Sequence, residues 1–252
     1  MLRYLMLLVL MLPINLYAAE CQSIQINGST GWEPISYRNA DGELVGIAVE
    51  VAKRIFSQLG VNIIIGKDLP WKRQQLRLEK GSLDLINAAY YNDKRSKKFL
   101  YSQPYHIEKI AIFVHIDRSF EFKDLHSLKG KVGLRPLGGT YGNDFDQFAT
   151  DNLNIAEFSD NESSLKRIDQ GKEDYLVLAL MDGLFSAHKH GYSSSIIPLT
   201  KNVAQLPIYF LMSKKSPCAH LIKKINSRLK ELKSSNFIEN LEEKYLLKLG
   251  YI

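Results

Sequence analysis

Long apolar runs are almost absent from this sequence of 252 residues. A membrane-spanning helix needs about 20 consecutive apolar residues, and nothing beyond residue 20 approaches that length. The one marked apolar run, residues 4–12, is too short to serve as a membrane anchor. Arg3 precedes this run and Ala18 and Ala19 follow it, which is the pattern of a secretory signal peptide. We predict that residues 1–19 are cleaved near Ala19 and that the rest of the chain is exported.

Cysteine is also scarce, since only Cys21 and Cys218 are present and both lie after the predicted cleavage point. An oxidising compartment outside the cytoplasm favours a disulfide between two such residues. The loop that it would close is very long, so the cross-link would stabilise the fold by about 2–5 kcal/mol. The alternative is two free, buried thiols.

Several functional motifs are missing. The sequence contains neither G-x-S-x-G nor H-E-x-x-H, which argues against common hydrolases. The net charge is +6, but the cations are spread among 27 acidic residues and no nucleic-acid motif occurs. We therefore expect a basic, solvated surface and no nucleic-acid partner. His188 and His190 have no further candidate ligands nearby, so we expect an exposed basic turn and no metal site.

What the sequence does contain is a β-α-β-α-β pattern that occurs twice. The first unit has strands at 23–27, 61–65 and 83–89 and helices at 46–59 and 70–80. The second has strands at 131–134, 155–158 and 174–180 and helices at 141–153 and 161–170. Two further apolar segments, 110–114 and 208–212, flank the second unit, and two amphipathic helices near 221–232 and 236–247 end the chain.

Strands that alternate with helices require crossover connections and largely parallel sheets. We predict an α/β fold of two lobes, each a mainly parallel sheet flanked by helices, joined by a hinge of two segments. The predicted boundaries are 20–109 for the first lobe, 110–207 for the second and 208–252 for the return to the first. This return brings Cys218 into the same lobe as Cys21, which favours the disulfide.

Ligands of open parallel sheets bind outside the carboxyl ends of the strands. In this sequence those ends form six loops, three in each predicted lobe, and the two sets would face each other across a cleft. The side chains expected to line it are Trp32, Trp71, Tyr90, Arg95, Thr140 and Tyr141, with Asp160 and Asp182 nearby.

An ordered set of segments resembles the extracellular solute-binding proteins of the polar-amino-acid type. The segments are "GWEPISYRNADGELVGIAVEVAKRIFSQLG", "LEKGSLDL", "NDKRSKKFLYSQPY", "DLHSLKGKVGLRPLGGTYG", "KRIDQGKEDY" and "INSRLKELKSSNFIENLEEKY". The resemblance covers essentially the whole chain after residue 19. It implies a type II periplasmic binding protein fold that closes on a small carboxylate, such as an amino acid. It also implies a monomeric, non-enzymatic periplasmic protein without a cofactor, which delivers its ligand to a membrane ABC permease.

The resemblance assigns a role to one cation of the "NDKR" stretch. The family carries an arginine there that grips the ligand carboxylate, and Arg95 stands at this position. A guanidinium can bind a carboxylate through two parallel hydrogen bonds, which a lysine cannot. Thr140, with Gly139 and Tyr141, lies just before a predicted helix, where backbone N–H groups favour anions. The resemblance implies that this loop contacts the same carboxylate.

The resemblance also assigns contacts with the side chain and the amine of the ligand. Trp32 and Trp71 match aromatic or apolar contact positions and suit a flat, apolar or cationic ligand body. Ala88, Ala89 and Tyr90 stand just before the arginine motif, where amino-acid binders of the family usually have small hydroxyl residues. Ala179 occupies the position of the family's ammonium-binding aspartate, so Asp182 would have to replace it.

Three acidic residues, Glu108, Asp160 and Glu162, could also supply negative charge to the ligand, but we expect each of them at the surface. Two other functions remain open. One is a soluble ligand-sensing co-receptor. The other is a dehydratase on the same fold, for which His106 and Glu108 are the nearest acids, although they lie beside the predicted hinge.

Overall fold

The structure, a computed structural model, describes residues 21–248 and residue 250. The predicted signal peptide, residues 1–19, lies outside these residues. No helix in the part that the structure describes is both long enough and apolar enough to cross a membrane.

The first lobe is built around parallel strands, as the repeating pattern predicts. β1 lies between β5 and β6 and is parallel to both. Strands β2, β3 and β4 form a separate small sheet. The elements are β1 (Ser23–Asn27), β2 (Gly31–Trp32), β3 (Ser36–Arg38), β4 (Leu44–Val45), α1 (Ile47–Gln58), β5 (Asn62–Ile65), α2 (Trp71–Lys80), β6 (Leu85–Tyr90), α3 (Asp93–Lys98) and β7 (Phe99–Tyr101).

The second lobe repeats this arrangement, with β9 parallel to both β10 and β11. Its predicted strands and helices are all present, within a few residues of the expected bounds. The elements from β8 to the end are β8 (His106–His115), β9 (Val132–Pro136), α4 (Asn143–Asn152), β10 (Asn154–Phe158), α5 (Asn161–Asp169), β11 (Tyr175–Ala179), α6 (Leu180–Lys189), β12 (Ile196–Pro198), β13 (Ala204–Ser213), α7 (Ile222–Ser234) and α8 (Phe237–Lys248).

Two long strands connect the lobes. β8 and β13 pair antiparallel, with Ile107 opposite Pro207 and Ile110 opposite Ala204. Beyond this shared stretch β8 continues against β11 and β12 in the second lobe, whereas β13 continues against β6 and β7 in the first. The two sheets are thereby joined in the strand order β10-β9-β11-β8-β13-β6-β1-β5. The predicted boundaries at 109/110 and 207/208 fall inside these two strands and stay predictions.

The carboxy-terminal helices pack on the first lobe. α7 buries Ile225, Leu229 and Leu232 in the same apolar core as β1 and α1. From α8, the hydroxyl of Tyr245 accepts a hydrogen bond of 3.1 Å from the backbone N–H of Gly46, directly before α1. These contacts hold the two carboxy-terminal helices against the first lobe.

The predicted disulfide is confirmed. Cys21 and Cys218 are bonded, with their Cα atoms 5.1 Å apart. The alternative of two free thiols is therefore wrong. Cys218 lies between β13 and α7, so the bond fastens the returning segment to the start of the first lobe, two residues before β1.

Candidate functional site

A cleft between the two lobes holds a cavity of about 670 Å³, which lies within the size range of small-molecule sites. Loops at the carboxyl ends of strands from both lobes form its wall. Eight of the predicted site residues line it: Trp32, Trp71, Tyr90, Arg95, Gly139, Thr140, Tyr141 and Asp182. Ala88 does not line it, because it lies in the apolar core of the first lobe, and its neighbour Ala89 faces the cavity instead.

Arg95 is a buried cation at the wall of this cavity, with 7 % of its surface exposed. Its two terminal nitrogens donate to the backbone carbonyls of Tyr90, in its own lobe, and Gly138, in the other lobe, both at 3.2 Å. The guanidinium also lies 5.3 Å from the ring centre of Trp71. Within residues 21–248 and 250, no carboxylate forms an ion pair with it. Donors of this charged group therefore stay available to an anion.

The local sequence explains how Arg95 is held. Helix α3 is short, and the side chain of Asn92 caps it by accepting a hydrogen bond of 2.8 Å from the backbone N–H of Arg95. Such a cap satisfies a backbone donor that the helix leaves unpaired. The neighbouring cations Lys94, Lys97 and Lys98 are exposed. Of this cluster, it is Arg95 that lines the cleft.

Thr140 lies across the cleft in the loop before α4. Its hydroxyl donates to the carboxylate of Asp146, which also accepts a hydrogen bond from the backbone N–H of Tyr141 at 3.2 Å. Arg135 lies 3.4 Å from the same carboxylate. The backbone N–H of Thr140 itself donates to no group among the residues that the structure describes. The loop thus presents a backbone donor at a helix start, where anions are favoured.

Three aromatic rings form one wall of the cavity. The ring centres of Trp32 and Tyr90 are 4.9 Å apart, and Tyr141 from the second lobe lies 6.1 Å from Tyr90. The hydroxyl of Tyr141 donates to the carbonyl of Val177 at 2.9 Å. These rings give the cavity a largely apolar face on which a flat or apolar group can pack.

Asp182 supplies a buried carboxyl group on the second lobe, with 4 % of its surface exposed. It lies in the first turn of α6, not in a loop as the sequence suggested. Asn161 donates to it at 3.0 Å, and the backbone N–H of Glu33 from the other lobe favours its charged form. Burial, and then the charge of Glu33, raise the pKa of Asp182 well above its usual value. A cation that lies beside this group would favour its charged form.

Comparison with known proteins identifies the family. Residues 24–248 match the bacterial extracellular solute-binding proteins, family 3. The chain belongs to this family.

Individual relatives of this solute-binding protein are distant. It is 22 % identical over 218 residues to the L-cystine-binding protein TcyJ of Escherichia coli (strain K12), a match that spans 85 % of this chain and 79 % of that protein. An ancestral arginine-binding protein bound to arginine has the same fold, with a TM-score of 0.74 at 23 % identity, over 89 % of this chain and 98 % of the other. A histidine kinase sensor domain gives a TM-score of 0.77 at 20 % identity, over 89 % of this chain and 96 % of the other. These likenesses confirm the two-lobed type II fold.

Several residues of this solute-binding protein's cleft were missed or misplaced by sequence reasoning. Glu108 was expected at the surface, and this is wrong because only 4 % of it is exposed. Its carboxylate accepts a hydrogen bond of 3.0 Å from the indole N–H of Trp32 and contacts the hydroxyl of Tyr90. The signal that could have revealed it is strand periodicity, since Glu108 shares a strand face with the buried Ile110 and Ile112. Asp160 and Glu162 are exposed, as expected.

Polar groups of the two lobes contact each other across the cleft. Lys189 of α6 lies 3.3 Å from Glu33 of the first lobe, and Lys72 of α2 lies 3.7 Å from Glu157 of the second. Neither pair was predicted, because each joins residues far apart in sequence. The hydrogen bond from Arg95 to the carbonyl of Gly138 runs between the same two lobes.

Proposed function

We propose that this solute-binding protein binds an amino acid in the cleft between its lobes and delivers it to a membrane ABC permease, as a monomer in the periplasm. The observation that carries the proposal is the buried guanidinium of Arg95, which lines the cavity and has no carboxylate partner within the described residues. Burying an unpaired charge is costly. An anionic group of a ligand would remove that cost, and a carboxylate matches the planar geometry of the guanidinium.

The other groups of the cleft agree with an amino acid. The backbone N–H of Thr140 would donate to the same carboxylate, with Gly139 and Tyr141 shaping the loop. Asp182 would accept the ammonium group, which would favour its charged form. Trp32, Tyr90 and Trp71 would pack against the side chain of the ligand. Named relatives and neighbours that bind L-cystine or arginine support this class of ligand.

The volume of the cavity bears on ligand size. At about 670 Å³ it has room for a long or branched amino acid. The exposed acids Asp68 and Glu162 also line it and would suit a ligand with a second cationic group.

A thermal-shift screen of the chain from residue 20 onward, followed by calorimetry, tests the proposal. The panel holds cationic, sulfur-containing and other polar amino acids, their non-amine carboxylate analogues and polyamines. A ligand that binds only the folded state raises the unfolding midpoint. We expect an α-amino acid to give the largest rise, and its non-amine analogue to give a smaller one. A rise with non-amine carboxylates alone would contradict the role of Asp182, and a rise with polyamines alone would contradict that of Arg95.

The matched variants Arg95→Ala and Lys94→Ala separate the anchor from its neighbour. Loss of a charge-assisted, bidentate contact in a buried site costs about 2–5 kcal/mol, so we expect Arg95→Ala to weaken binding by at least about thirtyfold. Lys94 is exposed and should be replaceable without effect. The unfolding midpoint without ligand serves as the folding control. Retention of affinity in Arg95→Ala would refute the anchor.

A further inference from the structure

Glu108 occupies a special position in the fold. It stands opposite Leu206 on the stretch where β8 and β13 pair with each other. Two residues later, at Ile110, β8 also begins to pair with β11 of the second lobe. The backbone of Glu108 therefore belongs to the strands that connect the lobes.

The side chain of Glu108 contacts the aromatic wall on the side that faces away from the cavity. One carboxylate oxygen lies 3.0 Å and the other 3.3 Å from the indole nitrogen of Trp32, and the hydroxyl of Tyr90 contacts the first oxygen. Trp32 and Tyr90 line the cavity, whereas Glu108 does not. The polar groups of these two rings are thus both held by one carboxyl group that the ligand would not touch.

Glu108 has no cation beside it to balance a charge: in the described part of the chain no Lys, Arg or His forms an ion pair with it. Burial lowers the pKa of His106, which keeps that ring neutral. Burial raises the pKa of Glu108 to about 8, against the hydrogen bonds from Tyr90 and Trp32, which lower it, and with a smaller contribution from the charge of Glu242. The ionisable and polar groups that face it are Trp32 from β2, Tyr90 from β6, Tyr105 before β8, His106 on the same face of β8, Tyr141 before α4, Asp182 from α6 and Glu242 from α8.

We propose that Glu108 is a positioning residue for the ligand: its carboxyl group accepts from Trp32 and Tyr90 and holds both rings in place, and it holds them more firmly once its proton is lost. The reason is that an ionised carboxylate is a stronger hydrogen-bond acceptor than a neutral carboxyl group, so the contacts with both rings tighten when the proton is lost. The consequence for ligand binding rests on the proposed function, but the test below uses no ligand and is independent of it.

The fluorescence of Trp32 provides the test, because the sequence contains only two tryptophans. A Trp71→Phe variant leaves Trp32 as the sole indole, and Trp71→Tyr serves if that variant does not fold. We expect the emission of Trp32 and its quenching by acrylamide to change along a single proton titration centred near pH 8, where the pKa of Glu108 lies. Greater quenching on the acidic side, where the carboxyl group is neutral and accepts more weakly, is the expected direction.

Second variants in this background assign the titration. Glu108→Gln keeps an oxygen acceptor for the indole but cannot ionise, so we expect the titration to be lost and the acidic-side emission to persist. Glu121→Gln is the matched control, because the side chain of Glu121 is 74 % exposed, and it should leave the titration unchanged. Glu108→Leu removes both acceptors, and we expect increased quenching at every pH with an unchanged circular dichroism spectrum.

Three results would overturn the proposal. The first is a Trp32 signal that does not respond to pH around 8 in the parent background. The second is the same titration in Glu108→Gln as in the parent. The third is a folded Glu108→Leu protein with unaltered emission and quenching of Trp32. A merely structural role for Glu108 would change stability without producing the titration or its loss.

Discussion

At the scale of single residues, two buried carboxyl groups, Asp182 at the cavity and Glu108 behind its aromatic wall, have different neighbours. Glu108 contacts the donors of two aromatic rings, whereas Asp182 lines the cavity and accepts from Asn161. Burial raises the pKa of both. The difference in access suggests a division of roles, in which Asp182 meets the ligand and Glu108 supports the wall.

The raised pKa of Asp182 predicts a pH-dependent stability. The folded state binds the proton more tightly than the unfolded state does, so stability is full below the ordinary pKa of an aspartate. It is then lost as the pH rises toward the raised value. An asparagine side chain does not titrate, so we expect Asp182→Asn to flatten this decline and to unfold at a higher temperature than wild type under mildly alkaline conditions.

The same substitution should weaken amino-acid binding, because a neutral amide cannot balance an ammonium group. We expect a loss of about 2–5 kcal/mol, as for other buried charge pairs that lose one member. Thermal unfolding across pH and calorimetry with the amino acid found in the screen measure the two effects. A variant with unchanged affinity would assign Asp182 to structure alone.

Sequence reasoning located Arg95 and the aromatic positions because a specific motif surrounds each of them. It misjudged Glu108 because an acidic residue near a strand end is usually exposed. Its burial depends on Trp32 and Tyr90, which come from two other strands. No sequence pattern within residues 106–115 indicates that these two partners lie beside Glu108.

At the scale of elements, the helices and strands with a strong periodic pattern were predictable. Short elements, and elements whose boundary has no glycine, proline or capping residue, were not. Helix α6 was missed because Leu180 follows the strand β11 without a glycine, a proline or a polar cap to mark the change. This difference matters for function, since it places Asp182 in the first helical turn. The short helix α3 was missed for its length, as isolated short helices are marginal without tertiary contacts.

Helix α3 gives a test at this scale. Asn92→Ala removes the cap on the backbone N–H of Arg95, and lost caps cost about 1 kcal/mol. We expect α3 to fray and ligand affinity to fall by up to about tenfold, since the backbone that carries the guanidinium is then no longer held in place. Asn92→Asp keeps an acceptor oxygen and should remain close to wild type. Hydrogen exchange of residues 93–98 measures the fraying, and equal protection in wild type and Asn92→Ala would contradict this role of the cap.

At the scale of the whole molecule, the lobes meet through polar contacts across the cleft and are joined by the strands β8 and β13. In the Lys72–Glu157 pair the two side chains are 64 % and 31 % exposed, and a pair of this kind contributes at most about 1 kcal/mol. Contacts of this strength do not by themselves fix the lobes in a closed arrangement. A ligand that touches Arg95 on one lobe and Thr140 or Asp182 on the other would therefore supply most of the free energy of closure.

The disulfide acts on the same scale but on a different part of the fold. Cys21 and Cys218 are separated by 197 residues, and the loop between them contains the whole second lobe. Their bond lies in the first lobe, away from the residues that line the cavity. A cross-link over so long a loop restricts the unfolded chain strongly, and removal of a native disulfide costs about 2–5 kcal/mol.

The double variant Cys21→Ser/Cys218→Ser should therefore unfold at a lower denaturant concentration than wild type while it binds the ligand with near-normal affinity. Urea unfolding and calorimetry check the two parts, with thiol titration of denatured, unreduced wild type as the control for bond formation. The bond joins the residue just ahead of β1 to the segment before α7. We therefore expect this variant to lose stability without losing ligand affinity. A parallel loss of affinity would mean that the cross-link also sets the geometry of the crossing strands.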